Sequence, residues 1–178
     1  AVPASGQYLL AWEAEALLGT PLFSAGAWEA GFAAAPAIPS GWTPGTPLSL
    51  RGPLGRGFRL PAGTRRMALV AAGDAVSRLL PLAAEALEGG AAVTLFSDAP
   101  MPALPASLEA YPLGDLAESL SWADFLAVDL PRERLPDLRD LLGLLPDGPA
   151  PCPGQALVYT AMPCGGLADC GACAVATR

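Results

Sequence analysis

Cys164, Cys170 and Cys173 lie in the run Met162-Pro163-Cys164-Gly165-Gly166-Leu167-Ala168-Asp169-Cys170-Gly171-Ala172-Cys173, with five residues and then two between successive thiols. Thiolates are soft donors that select iron-sulfur clusters, zinc or Cu(I). The spacing is nearest to the plant-type Cys-x4-Cys-x2-Cys template for a [2Fe-2S] cluster, with one extra residue in the first gap. Gly165, Gly166 and Gly171 let backbone approach the sulfurs closely and aim N–H groups at them. The template also needs a fourth ligand, expected downstream. Cys152, in Pro149-Ala150-Pro151-Cys152-Pro153-Gly154, is the only other cysteine in the sequence and becomes the candidate if the chain folds back. A longer natural chain or an incomplete site are the other ways to account for the fourth position. A [2Fe-2S] cluster is the leading expectation, with structural zinc and unliganded thiols as alternatives. A disulfide framework fits poorly, since no signal-peptide pattern is present and two of the thiols are only three apart; a cytoplasmic location is expected.

The rest of the composition narrows the chemistry. The 178 residues contain no His, and all ten basic residues are Arg. That removes the commonest general base, the Schiff-base amine, the phosphate-loop lysine and the usual nitrogen ligand of catalytic zinc. Hydrolytic and group-transfer chemistry is hard to assemble without them, whereas electron transfer needs none, because a bound cofactor carries that chemistry. A net charge of −7 makes the surface acidic, without a basic stripe for a phosphate backbone, so nucleic acid is not expected as a partner. The 52% hydrophobic content suffices for a buried core. No apolar run reaches the roughly 18 residues needed to span a bilayer.

The elements that position the cysteine loop fall into three stretches. Residues 1–63 are rich in Gly, Pro and Ala, with short strands at Gln7–Trp12, Pro21–Ser24 and Pro47–Arg51, which suggests a reduced β-barrel or meander. Residues 64–150 alternate strand and helix: strands at Met67–Ala71, Ala92–Phe96, Leu108–Leu113 and Asp124–Asp129, and helices over Ala75–Glu88, stopped by Gly89-Gly90, and Pro131–Leu142. Residues 151–178 hold a last strand, Gln155–Thr160, that leads directly into the cysteines. Near-continuous apolar strands alternating with helices imply a parallel, Rossmann-like α/β sheet covered on both faces.

This order, and four local matches, resemble the electron-transfer subunit of class B dihydroorotate dehydrogenase, in the ferredoxin-reductase superfamily. Ser5-Gly6-Gln7-Tyr8 is similar to that family's Pro-Gly-Gln-Phe strand, and Gly52-Pro53-Leu54-Gly55-Arg56-Gly57-Phe58 to its Gly-Pro-Leu-Gly-x-Gly-Phe. Gly73 to Leu82 sits where its Gly-rich turn and following helix would be, and Cys164, Cys170 and Cys173 fall on its first three cluster ligands. The resemblance implies a [2Fe-2S] cluster, FAD, and electron passage between NAD(H) and a flavin-containing catalytic partner, in a hetero-oligomer or dimer. Phe23, Ser24, Gly52, Gly55 and Gly73 are the cofactor-binding positions it implies.

Two departures bear on the nucleotides. Thr20-Pro21-Leu22-Phe23-Ser24 lacks the Arg that meets the FAD phosphates in the family, leaving Arg51 or Arg56 to compensate or to be solvated loop residues. Ala71-Ala72-Gly73-Asp74-Ala75 offers one Gly and a carboxylate where a pyrophosphate needs close glycine backbone, so FAD is possible and NAD is not expected. The competing reading is a non-catalytic binding or scaffold subunit of reductase fold with empty nucleotide pockets. Trp12, Trp28, Trp42 and Trp122 read as core or interface aromatics, Asp124 and Asp129 as markers of strand ends, and Arg132, Arg134 and Arg139 as a solvated helix face.

Overall fold

A computed structural model describes residues 2–35, 38–73, 75–101, 103–144 and 148–160. Two sheets account for them. Strands β1 (Tyr8–Trp12), β2 (Thr20–Trp28), β3 (Gly31–Ala35) and β4 (Ser49–Leu54) form an antiparallel sheet in the order β3-β2-β1-β4. Strands β5 (Arg66–Ala71), β6 (Ala92–Ser97), β7 (Leu108–Tyr111), β8 (Phe125–Pro131) and β9 (Gly154–Tyr159) form a parallel sheet in the order β7-β6-β5-β8-β9. A barrel-like β region followed by a parallel α/β sheet is the architecture expected from the sequence.

The parallel sheet is buried on both faces because alternate residues of β5 feed two apolar layers. Met67 and Leu69 join Val76, Leu79, Leu82, Val93, Leu95 and Phe125 on one face. Ala68 and Val70 join Phe96, Leu113, Leu116, Leu126, Val128 and Leu130 on the other. From β5 the chain moves outward through β6 to β7, then returns to β8 and β9 on the opposite side. The order therefore reverses between β5 and β8. In open α/β sheets the crevice at the carboxyl ends of the strands flanking such a reversal is where ligands bind.

Several elements differ from the sequence reading, each for a local reason. Helix α1 covers Leu80–Glu88, and the residues before it form a 3-10 turn, Ser77–Leu79. Pro81 lies in the first turn of α1, where its missing N–H is tolerated, but it could not sit inside a helix begun at Ala75. The position before α1 is Leu79, with no side-chain cap. The Pro131–Leu142 helix is reduced to a 3-10 turn, Arg132–Arg134, and one α turn, Leu138–Leu141, because Pro136 interrupts the run. Between β7 and β8, a short helix at Leu116–Ser119 flanked by 3-10 turns supplies Leu113, Leu116 and Leu120 to the second layer. Strand β3 was not expected: Phe32-Ala33-Ala34-Ala35 carries little β propensity, and pairing with β2 through the turn at Glu29-Ala30 decides its state. Trp28, at the end of β2, is exposed rather than packed. No helix among the described residues is long and apolar enough to cross a membrane.

Candidate functional site

The crevice at the carboxyl ends of β5 and β8 holds the one buried ion pair found among the described residues. Asp129 lies within β8 and is fully buried, although its position at the end of an apolar run had suggested only a strand boundary. Arg78, in the turn preceding α1, is also buried and donates from Nε to Asp129 Oδ2 at 2.7 Å. Its guanidinium carbon lies 4.2 Å from the ring centre of Tyr159 at the end of β9 and 5.9 Å from that of Phe23 on β2. Burial of both charges is tolerated because each neutralises the other, and the cation also faces the electron-rich surface of an aromatic ring. One side chain thus ties β8, β9 and the antiparallel sheet together.

Neighbouring backbone is equally well determined. Ala72 N–H donates to Asp129 O at 2.8 Å, extending the ladder one residue beyond β5. Arg134 Nη1 donates to Ala72 O at 2.9 Å, and Ser97 Oγ donates to Ala71 O at 2.9 Å. A carbonyl at the end of a buried strand would otherwise lose its partner. The result is a rigid, closed strand terminus.

The cofactor-binding candidates occupy this region unevenly. Phe23 and Ser24 are both buried on β2; the Phe23 ring packs against Tyr8 at 5.4 Å and is overlaid by Arg78. Ser24 Oγ accepts from Gly26 N–H at 3.3 Å, at an irregularity in the β2–β3 pairing. Gly73 lies directly beneath the Tyr159 hydroxyl, which fills the space a Cβ would need, and Arg78 Nη2 is the next neighbour. The approach to Gly73 that a pyrophosphate would use is therefore taken by the chain's own tyrosine. The Tyr159 side chain must swing aside before a dinucleotide can reach Gly73 from this side. Gly52 lies in β4 and Gly55 directly after it. Gly52 adopts φ of +140° at the shift in β1–β4 register, and a Cβ there would meet Leu9 Cδ2 at 2.9 Å and Tyr8 O at 3.0 Å. Close strand packing accounts for that glycine without a ligand.

Of the thiols, Cys164, Cys170 and Cys173 lie outside the described residues. Cys152 is buried in the apolar layer with Ala68, Ala123 and Leu126, before the first residue of β9. Burial, reinforced by the Asp124 carboxylate, pushes its thiol above the ordinary range and favours the neutral form. The chain reaches the cysteine loop from the other end of β9, roughly 17 Å away at the rise of a strand. A ligand at Cys152 would have to be a thiolate, and the loop that would fold back to it lies outside the described residues. Among the described residues, no three His, Cys, Asp or Glu side chains are grouped to hold a metal ion.

Arg78 and Asp129 are the residues that sequence reasoning passed over. The available signal was a single cation, Arg78, in the mostly apolar stretch 75–84 and a single anion, Asp129, in the otherwise apolar Phe125–Leu130. Opposite signs in two buried runs point to mutual neutralisation.

No protein-family model matches the chain, and no curated protein matches it in sequence. Solved structures do. The ferredoxin reductase of carbazole 1,9a-dioxygenase, in a structure described as its FAD apo form, is 21% identical, with a TM-score of 0.57 over 88% of this chain and 58% of that one. A second structure of that reductase gives 0.61 over 88% of this chain and 60% of that one, again at 21% identity. A cytochrome P450 reductase from Amycolatopsis gives 0.62 at 13% identity, over 89% of this chain and 62% of that one. The chain spans about three fifths of the length of these structures. Its described residues adopt the ferredoxin reductase-like fold, an antiparallel β sheet joined to a five-stranded parallel α/β sheet.

Proposed function

We propose that the chain is an electron-transfer protein whose redox centre is a [2Fe-2S] cluster on Cys164, Cys170 and Cys173, serving a flavoprotein partner of the dihydroorotate dehydrogenase type. One structural observation supports this reading above the others. Strand β9 is fixed by its full parallel register with β8, from Leu126↔Gly154 to Pro131↔Tyr159, and Cys164 follows only five residues after Tyr159. The cysteine run is thus fed from a rigid strand end beside the reversal of strand order. When bound, such a cluster accepts and releases one electron at a time. The chain's own contribution is to supply thiolates, to keep the loop backbone close to them through Gly165, Gly166 and Gly171, and to anchor its entry through Tyr159 stacked on Arg78. The fourth ligand on this reading is a donor other than Cys152.

A second reading is favoured by a different observation. Arg78 and Tyr159 occupy the space against Phe23 and Gly73, which supports a scaffold subunit of reductase fold with closed nucleotide pockets. Metal and sulfide analysis of protein reconstituted anaerobically with iron and sulfide separates the two. About two irons and two sulfides per chain, lost in Cys170→Ser, support the relay. One zinc per chain, or no metal, supports the scaffold.

A further inference from the structure

An open groove of about 700 Å³ adjoins the crevice through Tyr8, whose ring packs against Phe23. One wall is four consecutive residues of β9, Gln155 to Val158, and the other is the Gly55–Arg59 segment, with Tyr8 and Phe58 contributing partly exposed rings. Gln155 bridges the walls: its Oε1 accepts from Arg59 N–H at 2.9 Å, and its Nε2 donates to Arg59 O at 3.0 Å. Of the cofactor-binding candidates Gly55 lines it, whereas Phe23, Ser24, Gly52 and Gly73 do not.

Two features indicate what this groove receives. First, among the described residues β9 is the outermost strand of its sheet, so one edge of its backbone lies against β8 and the other borders the groove with no described strand on it. An open edge pairs readily with an extended segment. Second, charge is distributed very unevenly along the chain. No Asp or Glu occurs between Glu29 and Asp74, whereas Arg51, Arg56, Arg59, Arg65 and Arg66 all fall there, in a protein of net charge −7. The overall charge conceals this local excess. Arg56 and Arg59 line the groove, are exposed, and form no ion pair among the described residues.

From these observations we infer that the groove is a docking site for an extended, carboxylate-rich segment of a partner protein, which adds as a strand to β9 while its acidic side chains meet Arg56 and Arg59. Strand pairing supplies main-chain hydrogen bonds, and alternate side chains fall either on the Tyr8 and Phe58 rings or toward the guanidinium groups. A polynucleotide would extend past the two arginines onto the acidic remainder of the surface, whereas a short acidic strand meets the local positive charge alone. The inference is independent of whether the cysteine loop holds a cluster.

The test is fluorescence anisotropy of the full chain with a fluorescein-labelled peptide of alternating Glu and Val. Binding is expected to weaken about tenfold or more in Arg56→Glu/Arg59→Glu, to change little in Arg132→Glu, and to weaken as salt rises. A peptide N-methylated at alternate amides, with its charge intact, should also bind at least about tenfold less tightly, since strand addition needs its N–H groups. Several results would overturn the proposal: no binding by the wild-type chain, equal binding of the N-methylated peptide, equal loss in Arg132→Glu, or equal affinity for a single-stranded oligonucleotide. Concentration-dependent self-association that the charge reversal abolishes, with no peptide binding, would reassign the groove to a second copy of the chain.

Discussion

Arginines stand at two junctions between the antiparallel and parallel sheets, and they do opposite things. At the carboxyl ends of β5 and β8, Arg78 is buried, paired with Asp129 and flanked by Phe23 and Tyr159. Along β9, Arg56 and Arg59 border an open groove and are exposed. The difference lies in what surrounds each cation. A guanidinium enclosed by apolar side chains is stable only with a carboxylate in contact, so Arg78 is a structural tie whose removal leaves a charge stranded. A guanidinium in water pays no such desolvation and stays available to an incoming anion. The place where this fold usually receives a ligand is closed from within, and the open place is elsewhere.

Four changes would break or sharpen that contrast, and the largest effect belongs to the buried pair. Arg78→Ala or Asp129→Ala alone should destabilise the protein by about 3–5 kcal/mol, because either removes the oppositely charged partner in contact with a buried charge. Arg78→Leu/Asp129→Leu should recover most of that loss in urea denaturation. If the single variants are as stable as the wild type, the tie between the sheets is not what holds the crevice shut.

Crowding around glycine comes next. Gly52→Ala places a methyl group against Leu9 and the Tyr8 carbonyl at positive φ, and a loss of about 1–3 kcal/mol is expected. Gly73→Ala meets the far end of the flexible Tyr159 side chain rather than backbone, so it should cost less than Gly52→Ala in the wild-type background and less still in Tyr159→Ala. Simple additivity of the two changes would mean that Tyr159 does not lie over Gly73 in solution.

The smallest effect concerns Cys152. Its thiol is raised by burial and then by Asp124, so the neutral form is favoured in the folded state. That contribution is fully present below the ordinary thiol range and is lost as pH rises through the folded value. Between about pH 7 and about pH 10, wild-type stability should therefore decline by more than that of Cys152→Ala, apart from groups common to both. Cys152→Ala should also leave the iron content unchanged, whereas a fall to that of Cys170→Ser would restore Cys152 as a ligand.

The two-sheet architecture was legible because its strands are written in the plainest pattern, near-continuous apolar runs such as Met67–Ala71 and Phe125–Val128. The last strand was placed within one residue at each end for the same reason. Helices were overextended where Pro81 and Pro136 were not set against the apolar period. β3 went unseen because Gly31-Phe32-Ala33-Ala34-Ala35 takes its conformation from its partner strand rather than from its own side chains. The crevice was legible only in outline. Gly73 and Phe23 could be marked by position, but that Arg78 lies against Phe23 and Tyr159 against Gly73 depends on contacts between residues 55 and 86 positions apart. No local pattern records such contacts.

On the proposed function, redox chemistry resides in the cysteine loop and not in a nucleotide held at the crevice. The most direct measurement is the visible and electron paramagnetic resonance spectrum of anaerobically reconstituted protein, with and without added FAD, before and after dithionite. The account predicts a brown protein whose absorption bleaches on reduction, with a paramagnetic signal from about one cluster per chain that is unchanged by FAD. A colourless protein that stays silent on reduction, or one whose only reducible chromophore is FAD, would contradict it.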